Sequence, residues 1–141
     1  MRFYITGDTH RSFRRIDDFC HFFNPAPNSV LIILGDVGLN YYGDSRDKRE
    51  KEFLSKLPIT FFCIHGNHEM RPTDVPGYDM KEFCGGKVWY EEKYPNILFA
   101  KDGEIYTFGE HRCIVIGGAY SVDKFTVLCR LSDTLFSYCF L

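Results

Sequence analysis

Three apolar runs of strand length divide the first half of the chain at near-regular intervals. Arg2 to Thr6 alternates enough to predict a strand. Ser29 to Leu34 reads as one apolar run, the pattern of a strand buried on both faces, and Ile59 to Ile64 is a third strand. Between the first two, Phe13, Ile16, Phe19, Cys20 and Phe23 recur at helical spacing behind Ser12, a candidate cap. The segment Asn24-Pro25-Ala26-Pro27-Asn28 ends that helix, because proline and the residue before it resist helical backbone. Gly43 to Leu57 predicts a charged second helix capped by Asp44 or Ser45, with Phe53, Leu54 and Leu57 as its apolar stripe and Pro58 as its stop. Strand–helix–strand–helix–strand implies parallel strands joined by right-handed crossovers.

The second half has a different rhythm. Met70 to Tyr78 holds Pro72, Pro76 and Gly77 and reads as a long loop. Lys87 to Glu91 and Ile97 to Ala100 are short strand candidates. Glu104 to Phe108 and Arg112 to Ile116 flank Gly109-Glu110-His111 as a hairpin. Phe125 to Leu141 carries no Gly and no Pro, and neither alternates nor ends in a polar cap. The chain therefore divides into a domain over residues 1–124 and an atypical tail over 125–141.

Composition narrows the class. With 141 residues, 45% hydrophobic, the chain fits one domain with a real core, and 14 Phe and 9 Tyr make that core bulky. A net charge of -2 provides no long-range field for nucleic acid. Arg11, Arg14 and Arg15 cluster, but such charge runs usually form a solvated helix face. The first residues lead straight into a strand with no apolar leader region, and no run approaches the roughly 20 residues of a membrane span. Six cysteines show no C-x-x-C spacing, and Cys20, Cys63 and Cys113 sit among apolar residues as buried thiols do. A reduced cytoplasm is the expected compartment, with no membrane partner.

Candidate chemistry collects where the predicted strands end. Gly7-Asp8-Thr9-His10, Gly35-Asp36 and Gly66-Asn67-His68-Glu69 each follow an apolar run. Ligands of an open parallel sheet bind beyond the carboxyl ends of its strands, so one crevice can gather Asp8, His10, Asp36, Asn67 and His68. Carboxylate and amide oxygens suit magnesium or manganese, and imidazole adds tolerance for iron, zinc or nickel. Two such ions, about 3.5–4 Å apart, can clamp a phosphoryl group and activate water.

In order, these three strings resemble the first motifs of the calcineurin-like metallophosphoesterases. The resemblance implies that Asp8 and His10 bind a first metal, that Asp36 bridges two metals, and that Asn67 binds the second and contacts substrate. It also implies that His68 meets the substrate phosphate and assists the leaving group. It covers about Met1 to Lys124, including Gly117-Gly118-Ala119-Tyr120-Ser121. The implied fold is α/β: a parallel βαβαβ core followed by short antiparallel strands, like the first half of the family's four-layer αββα sandwich. The implied cofactors are two divalent ions, manganese foremost, and the implied substrate is a phosphate mono- or diester.

Two departures qualify the resemblance. Leu39 stands where the serine/threonine phosphatase branch carries an Asp that orients the catalytic His. No histidine follows His111, so the family's later lone His and G-H-x-H motif are missing. The chain is expected to be shortened or altered after about Lys124. An open apolar sheet face, with self-association through it, is the expected consequence. The alternative function is a non-catalytic domain that binds metal weakly or acts as an interaction module. A nucleic-acid phosphodiesterase is disfavoured by the acidic balance.

Other residues take quieter readings. His65 is expected at a strand end in a structural role, His21 packed or half exposed, and His111 at an exposed turn. Glu69 is expected to hydrogen-bond within its turn. Arg71 is a candidate phosphate contact. Asp44, Tyr41 and Tyr42 could border the cleft, with nothing in the sequence to fix their direction. Trp89 reads as core or cleft wall.

Overall fold

In the computed structural model, which describes residues 1–118, the three apolar runs lie side by side in one sheet. The elements are β1 (Phe3–Thr6), α1 (Arg14–Phe23), β2 (Val30–Leu34), α2 (Ser45–Ser55) and β3 (Thr60–Ile64). After a single 3-10 turn at Pro72–Asp74 come β4 (Asp79–Phe83), β5 (Gly86–Tyr90), β6 (Ile97–Ala100), β7 (Ile105–Phe108) and β8 (His111–Ile114). The main sheet has the order β1-β2-β3-β6-β5-β4, and β7-β8 forms a second, two-stranded sheet. The tail 125–141 and the Ala119-Tyr120-Ser121 part of the glycine motif lie outside the described residues.

Alternation along the strands sorts the core into two layers. Leu31 and Ile33 of β2, Phe61 and Cys63 of β3, and Ile97 and Phe99 of β6 pack with Phe13, Ile16 and Cys20 of the α1 region and Leu54 of α2. On the other face Val30, Ile32, Phe62, Ile64, Leu98 and Ala100 pack with Tyr106 and Phe108 of β7. A run buried on both faces has to be apolar throughout, which is why β2 and β3 stand out in the sequence. The hairpin β7–β8 covers the sheet face that was expected to lie open. Apolar exposure falls instead on Phe22 and on Phe23, which leaves the expected stripe of α1, and on Ile5, Met80, the register partners Ile105 and Ile114, and Ile116.

Several details differ from the sequence expectations. Ser12 does not cap α1. Its N–H donates to the Thr9 carbonyl at 2.7 Å in a tight turn, and Phe13, buried, takes the cap position with no side-chain bond. Asn24, in the left-handed region at φ 42, ends the helix before Pro25. Phe53 is 38% exposed; beside Leu54, α2 buries Asp47 and Lys51. Those two charges are paired, Asp47 with Arg11 and Lys51 with Glu91, which is what makes their burial tolerable. Asp44, not Ser45, is the α2 cap, accepting from the Arg46 N–H at 2.8 Å.

Strand β6 pairs in parallel with β3, extending the parallel core to four strands. The antiparallel character belongs to β4, β5 and the β7–β8 hairpin. Strand β4 has no counterpart in the sequence expectation. Its two-residue turn to β5 puts Cys84 at φ 50 and Gly85 at φ 86, and cysteine is not a residue that announces such a turn.

Candidate metal centre

The parallel strands β1, β2 and β3 end nearly level, Thr6 beside Ile33 and Leu34 beside Ile64, so their following loops meet. Backbone bonds stitch those loops together. The His10 N–H donates to the Asp36 carbonyl at 2.9 Å, and the Arg11 N–H to the Val37 carbonyl at 3.3 Å. The Thr9 hydroxyl donates to the same Val37 carbonyl at 3.0 Å. The Gly35 N–H donates to the Ile64 carbonyl at 3.1 Å. The ligand-bearing residues are thus held by main-chain bonds between motifs that lie far apart in sequence.

At this junction Asp8, His10 and Asp36 each direct one donor atom into a common space, all within 4.8 Å of one another. His10 Nε2 lies 3.6 Å from Asp8 Oδ2 and 4.0 Å from Asp36 Oδ2. Asp36 is 7% exposed, and its Oδ1 accepts the His68 N–H at 3.0 Å. Two carboxylates brought this close repel unless a cation lies between them, so an oxygen-rich donor set with one imidazole fits a hard or borderline divalent ion. The His68 ring stands 6.0 Å from the His10 ring, and Asn67 precedes it, half-buried.

His10 at φ 44 and Asp36 at φ 37 both occupy the left-handed region. Non-glycine residues accept that conformation at a cost, and such outliers concentrate at functional sites. Gly66 explains how the third loop comes so close. A Cβ there would stand 1.8 Å from Asp36 Oδ1 and 2.3 Å from the Asp36 nitrogen, so only glycine fits.

Glu69 is the buried clamp of the junction. Its Oε1 accepts the Val37 and Gly66 N–H groups, each at 3.1 Å, and its Oε2 accepts the Gly38 N–H at 3.0 Å. Burial pushes its carboxyl up and the three N–H donors pull it back, leaving it above its ordinary value. The turn-bonding role expected for Glu69 is what its geometry shows, with a longer reach: it joins the second and third motifs.

Arg11 has a different place from the solvated helix face expected of it. It precedes α1 at φ 67, and its guanidinium bonds the Gly38 carbonyl at 3.0 Å and Asp47 Oδ1 at 2.7 Å. Arg14 and Arg15 do lie exposed on the helix. Arg11, Gly38, Tyr41 and Tyr42 line a cleft of about 290 Å³ together with His10, Asp36 and His68. Direction, undetermined for the two tyrosines in the sequence, is set by the loop that carries them.

Arg71 lies beside Asp102, with 3.6 Å between Nη1 and Oδ2. The same carboxylate meets His65 Nε2 at 2.9 Å and accepts the Gly117 N–H at 2.7 Å through its other oxygen. His65 is therefore structural, tying the end of β3 to the strand-end glycines. Burial by itself would raise the Asp102 carboxyl, but His65, the Gly117 N–H and Arg71 hold it below its ordinary value. A depressed carboxyl stabilises the fold above its unfolded value of 3.8 and loses that contribution as pH falls toward the folded value. Asp102→Asn is accordingly expected to unfold at lower urea than the parent near neutral pH, the gap narrowing below 3.8. Urea midpoints measured across that range check it; a gap independent of pH would refute the assignment.

An α/β protein with side chains that could hold a metal ion gathered at the carboxyl ends of successive parallel strands is the class defined by this fold and site. Residues 1–134 match the sequence profile of the calcineurin-like phosphoesterases, and the chain belongs to that family. No curated protein and no solved structure matches it.

Proposed function

We propose that this protein hydrolyses phosphate mono- or diesters at a dinuclear metal centre bridged by Asp36. The observation that carries the proposal is the convergence of Asp8, His10 and Asp36 donor atoms within 4.8 Å at the ends of β1 and β2, beside His68 in one cleft. Asp8, His10 and Asp36 would hold one ion. Asp36 and Asn67 would hold a second. When bound, the ions supply charge stabilisation to the phosphoryl oxygens and an activated water. Asn67 and His68 orient the phosphoryl group, and His68 hands a proton to the leaving oxygen. Arg71, held at Asp102, is assigned a supporting contact at the substrate's outer edge.

The metal is assigned as manganese, with magnesium, iron, zinc and nickel fitting the same donors. The free thiols of Cys20, Cys63, Cys84 and Cys113 fit a reducing cytoplasm. No helix among the described residues is long and apolar enough to cross a membrane. The exposed pair Ile105 and Ile114 supports self-association through the outer face of β7–β8.

A second reading, a non-catalytic domain that binds metal weakly or acts as an interaction module, is favoured by the candidate His, Cys and carboxylate ligands forming one three-residue cluster, Asp8, His10 and Asp36, among the described residues. Manganese titration of chelator-stripped protein, with a chromogenic phosphate monoester and diester, separates the two. Turnover that appears with manganese and vanishes on chelation supports the enzyme. Calorimetric binding without turnover supports a weakly binding domain, and no binding by calorimetry supports the inert interaction module; either outcome overturns the enzyme.

A further inference from the structure

We propose that Tyr41 is a stacking wall that selects phosphate esters whose leaving group carries a planar ring, such as an aryl group or a nucleobase. The inference rests on the phosphoesterase reading of the cleft and names the chemistry of its substrate. Tyr41 and Tyr42 line the same cleft as His10, Asp36 and His68, and both are roughly two-fifths exposed, Tyr41 at 43%. Their rings meet edge-on, with centroids 4.7 Å apart and planes at 79°. Tyr42 is already occupied. The Arg46 guanidinium lies 3.3 Å from its ring centre and that of Arg11 4.8 Å away. Among the described residues no cation lies over Tyr41, which leaves its ring for a ligand.

The loop around Tyr41 is fixed on both sides. Asp47 Oδ2 accepts the Tyr42 N–H at 2.8 Å and the Gly43 N–H at 2.7 Å. Before Tyr41, the Asn40 carbonyl accepts the Met70 N–H at 2.8 Å, and the Asn40 side-chain oxygen accepts the Tyr78 hydroxyl at 3.0 Å. A ring held in place this way loses little freedom when a ligand stacks on it.

Charge and size favour a compact ring over a polyanion. Arg11 is paired with Asp47 and Arg46 with Asp44, each at 2.7 Å, so the wall is aromatic and locally neutralised. A long nucleic-acid strand would want unpaired cations along its track. The cleft volume of about 290 Å³ lies at the low end for small-molecule sites, room for a phosphoryl group and one ring.

Calorimetry on manganese-loaded protein tests this with three probes: phenyl phosphate, adenosine 5′-monophosphate and glycerol 3-phosphate. The two ring-bearing esters are expected to bind about tenfold tighter than glycerol 3-phosphate, the scale of one aromatic contact. Tyr41→Ala should bring them down to the glycerol phosphate affinity, and Tyr41→Phe should keep the preference. Preference for phenyl phosphate alone assigns an aryl group, and preference for the nucleotide alone a nucleobase; both support the wall. Equal affinities for all three probes, or a preference that survives Tyr41→Ala, overturn the inference while leaving phosphoesterase chemistry standing. If no phosphate ester binds, the wall and the phosphoesterase reading both fall.

Discussion

Asp36→Asn is expected to weaken manganese binding at least about 100-fold while leaving the protein folded. Even residues that only support metal ligands typically cost roughly 10–100-fold in affinity when changed, and Asp36 is proposed as a ligand to both ions. The substitution removes the negative charge without removing shape. An amide oxygen in the Oδ1 position can still accept the His68 N–H, a bond of 3.0 Å in the parent. The backbone bond from His10 to the Asp36 carbonyl does not involve the side chain. Thermal unfolding of the metal-free variant should therefore resemble that of the metal-free parent, while calorimetry shows the loss. Any manganese-dependent turnover should disappear in parallel. Parent-like affinity in Asp36→Asn would remove Asp36 from the centre.

Glu69→Ala carries the largest expected loss of stability. Two buried N–H groups, those of Val37 and Gly38, and the part-buried one of Gly66 would be left without their acceptor. An unsatisfied buried donor costs about 1–3 kcal/mol, so a loss of about 3 kcal/mol or more is expected once water recovers part of the deficit. Glu69→Gln should be milder. Its amide oxygen can replace Oε1 and keep the Val37 and Gly66 donors, but its NH₂ would then face the Gly38 N–H, donor against donor. The expected order of urea midpoints is parent, Gln, Ala, with unchanged slopes. Equal midpoints for parent and Ala would show that the clamp contributes nothing.

The legible parts of this protein were those where one residue type has one physical use. Strands β2 and β3 could be read because burial on two faces demands unbroken apolar sequence. Asp8, His10 and Asp36 stand out because they directly follow the predicted strands β1 and β2, and the structure brings their donor atoms together. Glu69 was visible as a turn residue, but its bonds to Val37 and Gly38 span more than 30 positions and leave no local trace.

The failures share a cause. Ser12 has the chemistry of a cap, yet a tertiary turn at His10 and Arg11 diverts the chain, and Phe13 is placed by burial instead. Arg11 looked like one of three surface arginines because only the fold supplies Asp47 as its partner. The burial of Asp47 and Lys51 leaves no sign in the charged second helix for the same reason, since Arg11 and Glu91 reach them only through the fold. Strand β6 could not be assigned a direction, because the sequence of four apolar residues is the same whether its neighbour runs parallel or antiparallel. The sequence leaves Tyr41 without a direction, since the course of its loop depends on bonds made by Asn40, Tyr42 and Gly43.

The left-handed backbone at His10 and Asp36 sets evolution and durability against each other at the centre. Glycine would occupy either position without the steric penalty, of order 1 kcal/mol or more, that a β-carbon brings there. Selection for robustness alone would erode both side chains in favour of glycine. A role in holding an ion, not the needs of the fold, would account for side chains there. A library screened only for heat resistance should lose these positions early, whereas one screened for ion retention should hold them.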